Sequence, residues 1–245
     1  TQDTSHNRGN RGHMSAVTTD VADTVRETTA NLNGTVTDDG DDTIDLYGFV
    51  WGTSDKGDPG NADPSAPPGG WTNGWKSGSG NYDENPFSHS IIGLVGDTDY
   101  YFRACAHNSH GWSYGSCLNF LTKPAKPTNV AATDGTFLDQ VVVTWDSSTG
   151  ATGYQVYRDA VGLGWLGNVL TYNDTGANAA VITPGTADAS DGIVAYISLD
   201  VIGQSIAEAT HHTYTVKAKN ATGESAISTD SDTGYRKHGA LTYQW

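Results

Sequence analysis

Positive charge is scarce in this chain. It carries 13 Lys and Arg against 28 Asp and Glu, a formal net charge of −15. So acidic a chain repels nucleic acid and anionic membrane surfaces, which are themselves negative. It also favours solubility over casual self-association. Long apolar runs are missing too: there is no stretch of about 18 apolar residues, so no membrane insertion is expected. No secretory leader is visible, and a mature chain would already have lost one. Methionine occurs once, at Met14, and the chain does not begin with it; a processed N-terminus or a fragment of a longer protein is expected. Charged residues make up 17%, too few for a solvated disordered chain or a long helical one. No segment keeps a helical hydrophobic period. A nucleophile elbow, a His-Glu-x-x-His pair and a phosphate loop are all absent. The expectation is a chain that is not an enzyme, with no cofactor and no metal centre.

What is present points to strands and turns. The 245 residues suffice for two domains of about 100 residues each. Gly stands at 30, beside many Thr, Ser, Asp and Asn, which favour turns, with Thr also favouring strands. In the first half, 29–36 alternates small or apolar with polar residues, and the acidic Asp38 to Asp42 interrupts it as a turn. Strand-like runs follow at 46–52, 90–94, 100–106 and 114–121, the last two joined by a turn at 108–111. The second half repeats the plan with 141–145, 153–158, 213–220 and 225–228. Between the halves, Lys123 to Thr128 is a linker punctuated by Pro124 and Pro127, short and fairly stiff.

These segments resemble fibronectin type III domains of the bacterial and phage surface-protein type. In the first half the likeness rests on "TTANLNGTVTDDG", "YGFVWGTS" and "LVGDTDYYFRACAHNSHGWSYGSCLNFLT". In the second it rests on "PTNVAAT", "VVVTWDSSTGATGYQVYRD" and "HTYTVKAKNATGESAIS". It implies an all-β fold: two tandem seven-stranded Greek-key β-sandwiches joined by a short proline-containing linker. The expected divisions are a polar arm at 1–13, a first domain at 14–122 with a loop insertion at 53–89, and a linker at 123–128. A second domain at 129–233 with an insertion at 162–209 follows, then a terminal strand or the start of a further domain at 234–245. "ISLDVIGQSI" in the second insertion is expected to supply fourth- and fifth-strand material. The resemblance also implies that Tyr100 and Tyr214 tie their hydroxyls to nearby backbone, and that Trp145 is the core tryptophan of a second strand, with Leu32 in its place in the first half. Strand alternation then turns Tyr100, Phe102, Ala104 and Ala106 inward, and Tyr101, Arg103 and Cys105 outward.

Within that frame several residues are candidates for function. Cys105 on the sixth strand and Cys117 on the seventh would both face outward, close enough for a disulfide across the hairpin; two free thiols or half of a metal site are the competing readings. A disulfide would argue for an extracellular setting. The aromatics Trp71, Trp75, Tyr82 and Phe87 of the first insertion, with Trp112 at the hairpin tip, either form a ligand or partner contact or fold the loop onto the sandwich. The acidic turn has calcium-type oxygens without a calcium-loop spacing, and His107, His110, His211 and His212 read as surface residues. Asn33, Asn173 and Asn220 head Asn-x-Ser/Thr triplets, weak glycosylation signals. In the tail, Leu241, Tyr243 and Trp245 alternate with polar residues as a strand that docks on a neighbouring subunit, opens a further domain, or packs on its own chain. The expected role is a structural or adhesive module of an extracellular assembly: a surface filament, fibre or virion decoration. Its expected partners are other copies of itself, neighbouring domains of a longer chain, or cell-surface glycans, with no nucleic acid. The other reading is a carbohydrate-binding accessory part of a secreted polysaccharide-degrading enzyme.

Overall fold

The computed structural model describes residues 12–80, 82, 85–178, 181–183, 205–207 and 210–237. The chain divides into two compact units between Pro124 and Ala125, each all-β with antiparallel strand pairing in its sheets.

The first unit contains β1 (Ala16–Asp23), β2 (Thr29–Asp38), β3 (Leu46–Gly52), β4 (Asn73–Lys76), β5 (Pro86–Ile92), β6 (Asp99–Asn108), β7 (Gly111–Tyr114) and β8 (Leu118–Leu121). One sheet has the order β1-β2-β5; the other runs β4-β3-β6-β7, with β8 continuing the line of β7 along β6. The two sheets enclose a core built by alternation. β2 buries Ala30, Leu32 and Val36 and turns Asn31, Asn33 and Thr35 away. β6 buries Tyr100, Phe102, Ala104 and Ala106 against Phe49 and Phe120. Gly34 allows the closest approach: a Cβ there would lie 2.5 Å from that of Ala104. Tyr100 accepts a hydrogen bond from the Val95 amide at 3.0 Å, the backbone tie implied by the resemblance.

The second unit contains β9 (Ala131–Ala132), β10 (Val141–Thr144), β11 (Gly153–Arg158), β12 (Val161–Trp165), β13 (Thr171–Asp174), β14 (Val181–Thr183), β15 (Ser205–Ala207), β16 (His212–Lys219) and β17 (Asp232–Gly234). Its sheets run β13-β10-β9 and β12-β11-β16-β17, with β14 and β15 as a separate hairpin. Setting that hairpin aside, both units show the same three-against-four strand order of a fibronectin type III-like sandwich. The core gathers Val141, Val143, Trp145, Tyr154, Val156, Tyr214, Val216 and Ala218.

Three expectations for this unit change. The fourth and fifth strands are β12 and β13; of "ISLDVIGQSI" only Ser205 and Ile206 lie in a described strand, and the rest falls outside the described residues. The final strand is β17, while 224–228 runs beside β16 through Ser225 N–H to Ala218 O and Ser228 N–H to Val216 O. The Tyr214 hydroxyl bonds a side chain, donating to Asp174 Oδ2 at 2.8 Å, because Asp174 closes β13 directly above it.

Candidate functional site

The most elaborated region is the insertion between β3 and β5. Its first part reaches over the outer face of the β3-β6-β7 sheet, where Asp55, Asn61 and Ala62 meet Arg103, Trp112 and Tyr114, and β4 then pairs along the edge of β3. Trp71 is 4% exposed and its indole N–H donates to Gly57 O at 3.2 Å. Asn61 Oδ1 accepts the Trp112 amide at 2.8 Å, and Ala62 O accepts the Tyr114 hydroxyl at 2.7 Å. Lys76 pairs with Asp63. Two strand glycines make the close approach feasible: a Cβ on Gly74 would sit 1.7 Å from Pro64 O, and one on Gly48 would sit 2.2 Å from Trp75 O. Burial pushes the Asp63 carboxyl up, but Lys76 and Ser65 outweigh it and hold the group below its ordinary value. Asp55 is also held low, first by the Gly57 amide and further by Arg103, whose guanidinium lies 3.7 Å away.

This cover changes the reading of the cysteines. Cys105 points away from the sandwich core, as alternation requires, yet it is 0% exposed because the insertion lies over it. Burial drives its thiol well up, and Tyr114 sits beside it. Both cysteines are free. The two-residue turn at Ser109 and His110 sets Asn108 opposite Gly111 and Cys105 opposite Tyr114. By β8, Phe102 faces Leu118, so Cys117 falls in the break between β7 and β8, out of register with Cys105. The expected disulfide is therefore corrected to two free thiols. Cys117 is half-buried, with its thiol raised by burial and then by Asp55.

Of the five candidate contact aromatics, three are consumed internally. Trp71 and Trp112 are buried, and Trp75 stacks on His89 with ring centroids 3.7 Å apart and planes 8° apart. Tyr82 and Phe87 line an open cleft of about 360 Å3, together with Tyr47, Val36, Asn85 and Ser88. Tyr47 meets Tyr82 edge-on at 4.7 Å and Phe87 at 4.5 Å. Tyr47 opens "YGFVWGTS" and Phe87 was among the insertion aromatics; what the sequence did not show is that β3 and β5 bring them together with Tyr82.

The other candidates lie apart. In the acidic turn, Asp38 and Asp39 accept the Gly40 and Asp41 amides, and Asp42 accepts that of Ser109. Among the described residues no cluster of three or more His, Cys, Asp or Glu is placed to hold a metal ion, and no helix is long and apolar enough to cross a membrane. His107 bonds Asp45 at 2.6 Å. His212 departs from the expected surface position: it is buried, bonded through Nδ1 to Asp159 at 2.6 Å, and accepts the Asn178 amide at Nε2. Nearby, Arg158 Nη1 donates to both oxygens of the buried Asp174 at 2.9 Å. Asn33 sits in the middle strand of its sheet and donates to Val21 O and Asp23; Asn220 is buried; Asn173 is exposed on β13. Leu241, Tyr243 and Trp245 lie outside the described residues.

A comparison with protein-family profiles finds no match, and neither does one with curated protein sequences. Among solved structures, the chain is similar to the FN1-FN3 domains of chicken CNTN1, with a TM-score of 0.36 and 13% identity over 92% of this chain and 69% of that one. It is also similar to the fibronectin(III)-like modules of Clostridium thermocellum CbhA, with a TM-score of 0.33 and 16% identity over 94% and 98%. The sensor domain of the anti-sigma factor RsgI4 from Pseudobacteroides cellulosolvens gives 0.31 and 17% over 44% and 93%. The strand order within each unit, rather than these overall likenesses, defines the fold.

Proposed function

We propose that the chain is a structural or adhesive module of an extracellular assembly, such as a surface filament, a fibre or a virion decoration. It acts through protein–protein or cell-surface contacts rather than catalysis. The observation that carries this reading is the use made of the insertion. A segment long enough to form a mobile binding loop is instead pinned over one sheet by Trp71, Asn61, Ala62 and Asp63. It thickens the unit and seals a thiol that would otherwise be open to solvent. The extracellular setting is supported by the resemblance to surface-protein modules, and no longer draws on a disulfide. Labelling native particles with an antibody to this chain, viewed by electron microscopy, tests the proposal. Regular decoration of a filament, fibre or virion is expected; label confined to dispersed single molecules overturns it.

A second reading is favoured by the open cleft at Tyr47, Tyr82 and Phe87. Its volume falls within the range of about 300–1,000 Å3 usual for small-ligand sites, and aromatic rings offer stacking surfaces for sugars. Here the chain is an accessory, glycan-binding part of a polysaccharide-degrading enzyme. A glycan array on which binding is lost with Tyr82→Ala supports this reading; an array without any hit removes it.

A further inference from the structure

None of the described residues that line the open cleft is charged, and three of them are aromatic. β3 supplies Tyr47, β5 supplies Phe87, and Tyr82 stands in the chain leading into β5; all three are half-buried. Their mutual angles decide what they can hold. Tyr47 and Tyr82 stand at 79° with ring centroids 4.7 Å apart, and Tyr47 is tilted by 36° to Phe87 at 4.5 Å. The rings therefore form a corner rather than one flat platform. A sugar ring stacks on a flat face, whereas a compact, nearly spherical group touches two walls of a corner at once. Aromatic faces carry the negative side of the ring quadrupole, so the group that such a corner favours is a cation. The polar atoms point the same way. The Tyr82 hydroxyl donates to Gly78 O at 2.8 Å, and Asn85 O accepts the Val36 amide at 3.3 Å. Both bonds fix the walls of the cleft and offer nothing to a ligand. A sugar needs several directed polar contacts; a cation over ring faces needs none.

We propose that the corner formed by Tyr47, Tyr82 and Phe87 binds a quaternary ammonium group of the choline type. The proposal gives the cleft of the glycan reading a different ligand, and the assembly reading does not depend on it. A trimethylated nitrogen suits the site in three respects. Its charge is spread over methyl groups, so it gives up little hydration on entering a pocket without hydrogen-bond acceptors; the ammonium of lysine is a compact, strongly hydrated charge and gives up much more. The cleft, at about 360 Å3, lies at the small end of the range of about 300–1,000 Å3 for ligand sites, which is room for a head group and not for an extended chain. No lysine or arginine lines it to repel a cation. The two residues that join Tyr82 to Asn85 in the sequence are Asp83 and Glu84, so the charge nearby is negative wherever those side chains lie. The same trimethylammonium chemistry is carried by phosphocholine head groups and by trimethylated lysine, and either would serve a module that makes cell-surface contacts.

Chemical-shift titration of the full chain with choline chloride at constant ionic strength tests this. The control ligand is dimethylbutanol, the uncharged isostere in which tert-butyl replaces trimethylammonium. Saturable shifts at the Tyr47, Phe87 and Ser88 amides are expected, with a Kd on the order of 1 mM. Dimethylbutanol fills the same volume without the cation–π attraction, and its binding is expected to be about tenfold weaker. Tyr82→Leu keeps an apolar wall but removes a ring face; it weakens choline at least about threefold and leaves dimethylbutanol nearly unchanged. A thermal melt checks that this variant folds, and the comparison of the two ligands on the unaltered chain decides the matter without it. Shifts that do not saturate by ~20 mM choline, well above the expected Kd, overturn the proposal. So does equal binding of the two ligands. A cleft saturated by a neutral oligosaccharide and not by choline also overturns it, and leaves the glycan reading standing. Phosphatidylcholine vesicles and a trimethyl-lysine peptide then separate the sources: binding of either, competed by choline, supports the proposal and shows whether lipid or protein carries the group. Particle labelling, by which the assembly reading stands or falls, is unaffected by any of these results.

Discussion

Replacing Arg158 by Met removes the cation from a buried carboxylate. Asp174 is 2% exposed. It accepts Arg158 Nη1 at 2.9 Å on both oxygens, the Tyr214 hydroxyl at 2.8 Å and the Gly176 amide at 3.0 Å. Methionine keeps much of the apolar stem and leaves Asp174 with two neutral donors. Stranding one member of a buried ion pair costs about 3–5 kcal/mol. The Arg158 side chain is 25% exposed, so water solvates part of the site and the cost falls at the low end, about 3 kcal/mol. For a unit of this size that is a fall of roughly 10 °C in its melting temperature. Adding Asp174→Asn removes the stranded charge while keeping an acceptor for Tyr214, so the double variant recovers about 1–2 kcal/mol relative to Arg158→Met; such coupling is usual for residues in direct contact. Native-state hydrogen exchange of β11 and β16 amides reads this unit alone. Tyr214→Phe in the same assay costs about 1.5–2 kcal/mol, one hydrogen bond to a charged group. If Arg158→Met costs less than about 1 kcal/mol, or the two changes simply add, the ion pair does not hold this unit together as argued.

Four other outcomes are expected. Intact mass is unchanged by reduction, and under native conditions alkylation reaches the half-buried Cys117 before the sealed Cys105; a gain of two hydrogens on reduction refutes the strand register. Gly74→Ala places a Cβ against Pro64 O, lifts the insertion and speeds Cys105 alkylation, whereas an unchanged rate shows that something other than the insertion seals the thiol. Asp159 and Ala160 hold φ of 50° and 66° in the β11–β12 turn, a conformation that suits glycine at the second position, so Ala160→Gly raises stability by about 1 kcal/mol in guanidinium unfolding; no gain contradicts the turn geometry. The Asp159 carboxyl is held below its ordinary 3.8, first by His212 and then by the Thr213 amide. Its stabilising effect is present above that value and lost as pH falls through the lower folded one. Asp159→Asn therefore flattens the acid limb of the melting profile, and an unchanged limb refutes the contact.

The sequence by itself determined where chain alternates between core and exterior. β2 and β16 follow their period-two pattern, because in a strand the side chain's direction is set by its parity, and β6 departs from it at Cys105. The short β4, four residues long, and β1, with Val21 exposed and Val17 buried, carried too little pattern to be read. Tertiary structure decided the rest. Cysteine pairing depended on a two-residue turn and a break between β7 and β8, and a small shift of register separates the two thiols. Parity put Cys105 outside the sandwich, but it says nothing of a further layer of chain laid over that face; the glycines at 48 and 74, within strands, were the one local hint of a close approach. The Arg158–Asp174–Tyr214 cluster joins residues 16 and 40 positions apart. No local pattern encodes such a contact, since the energy that holds it comes from burial shared by strands that meet only when the sandwich closes.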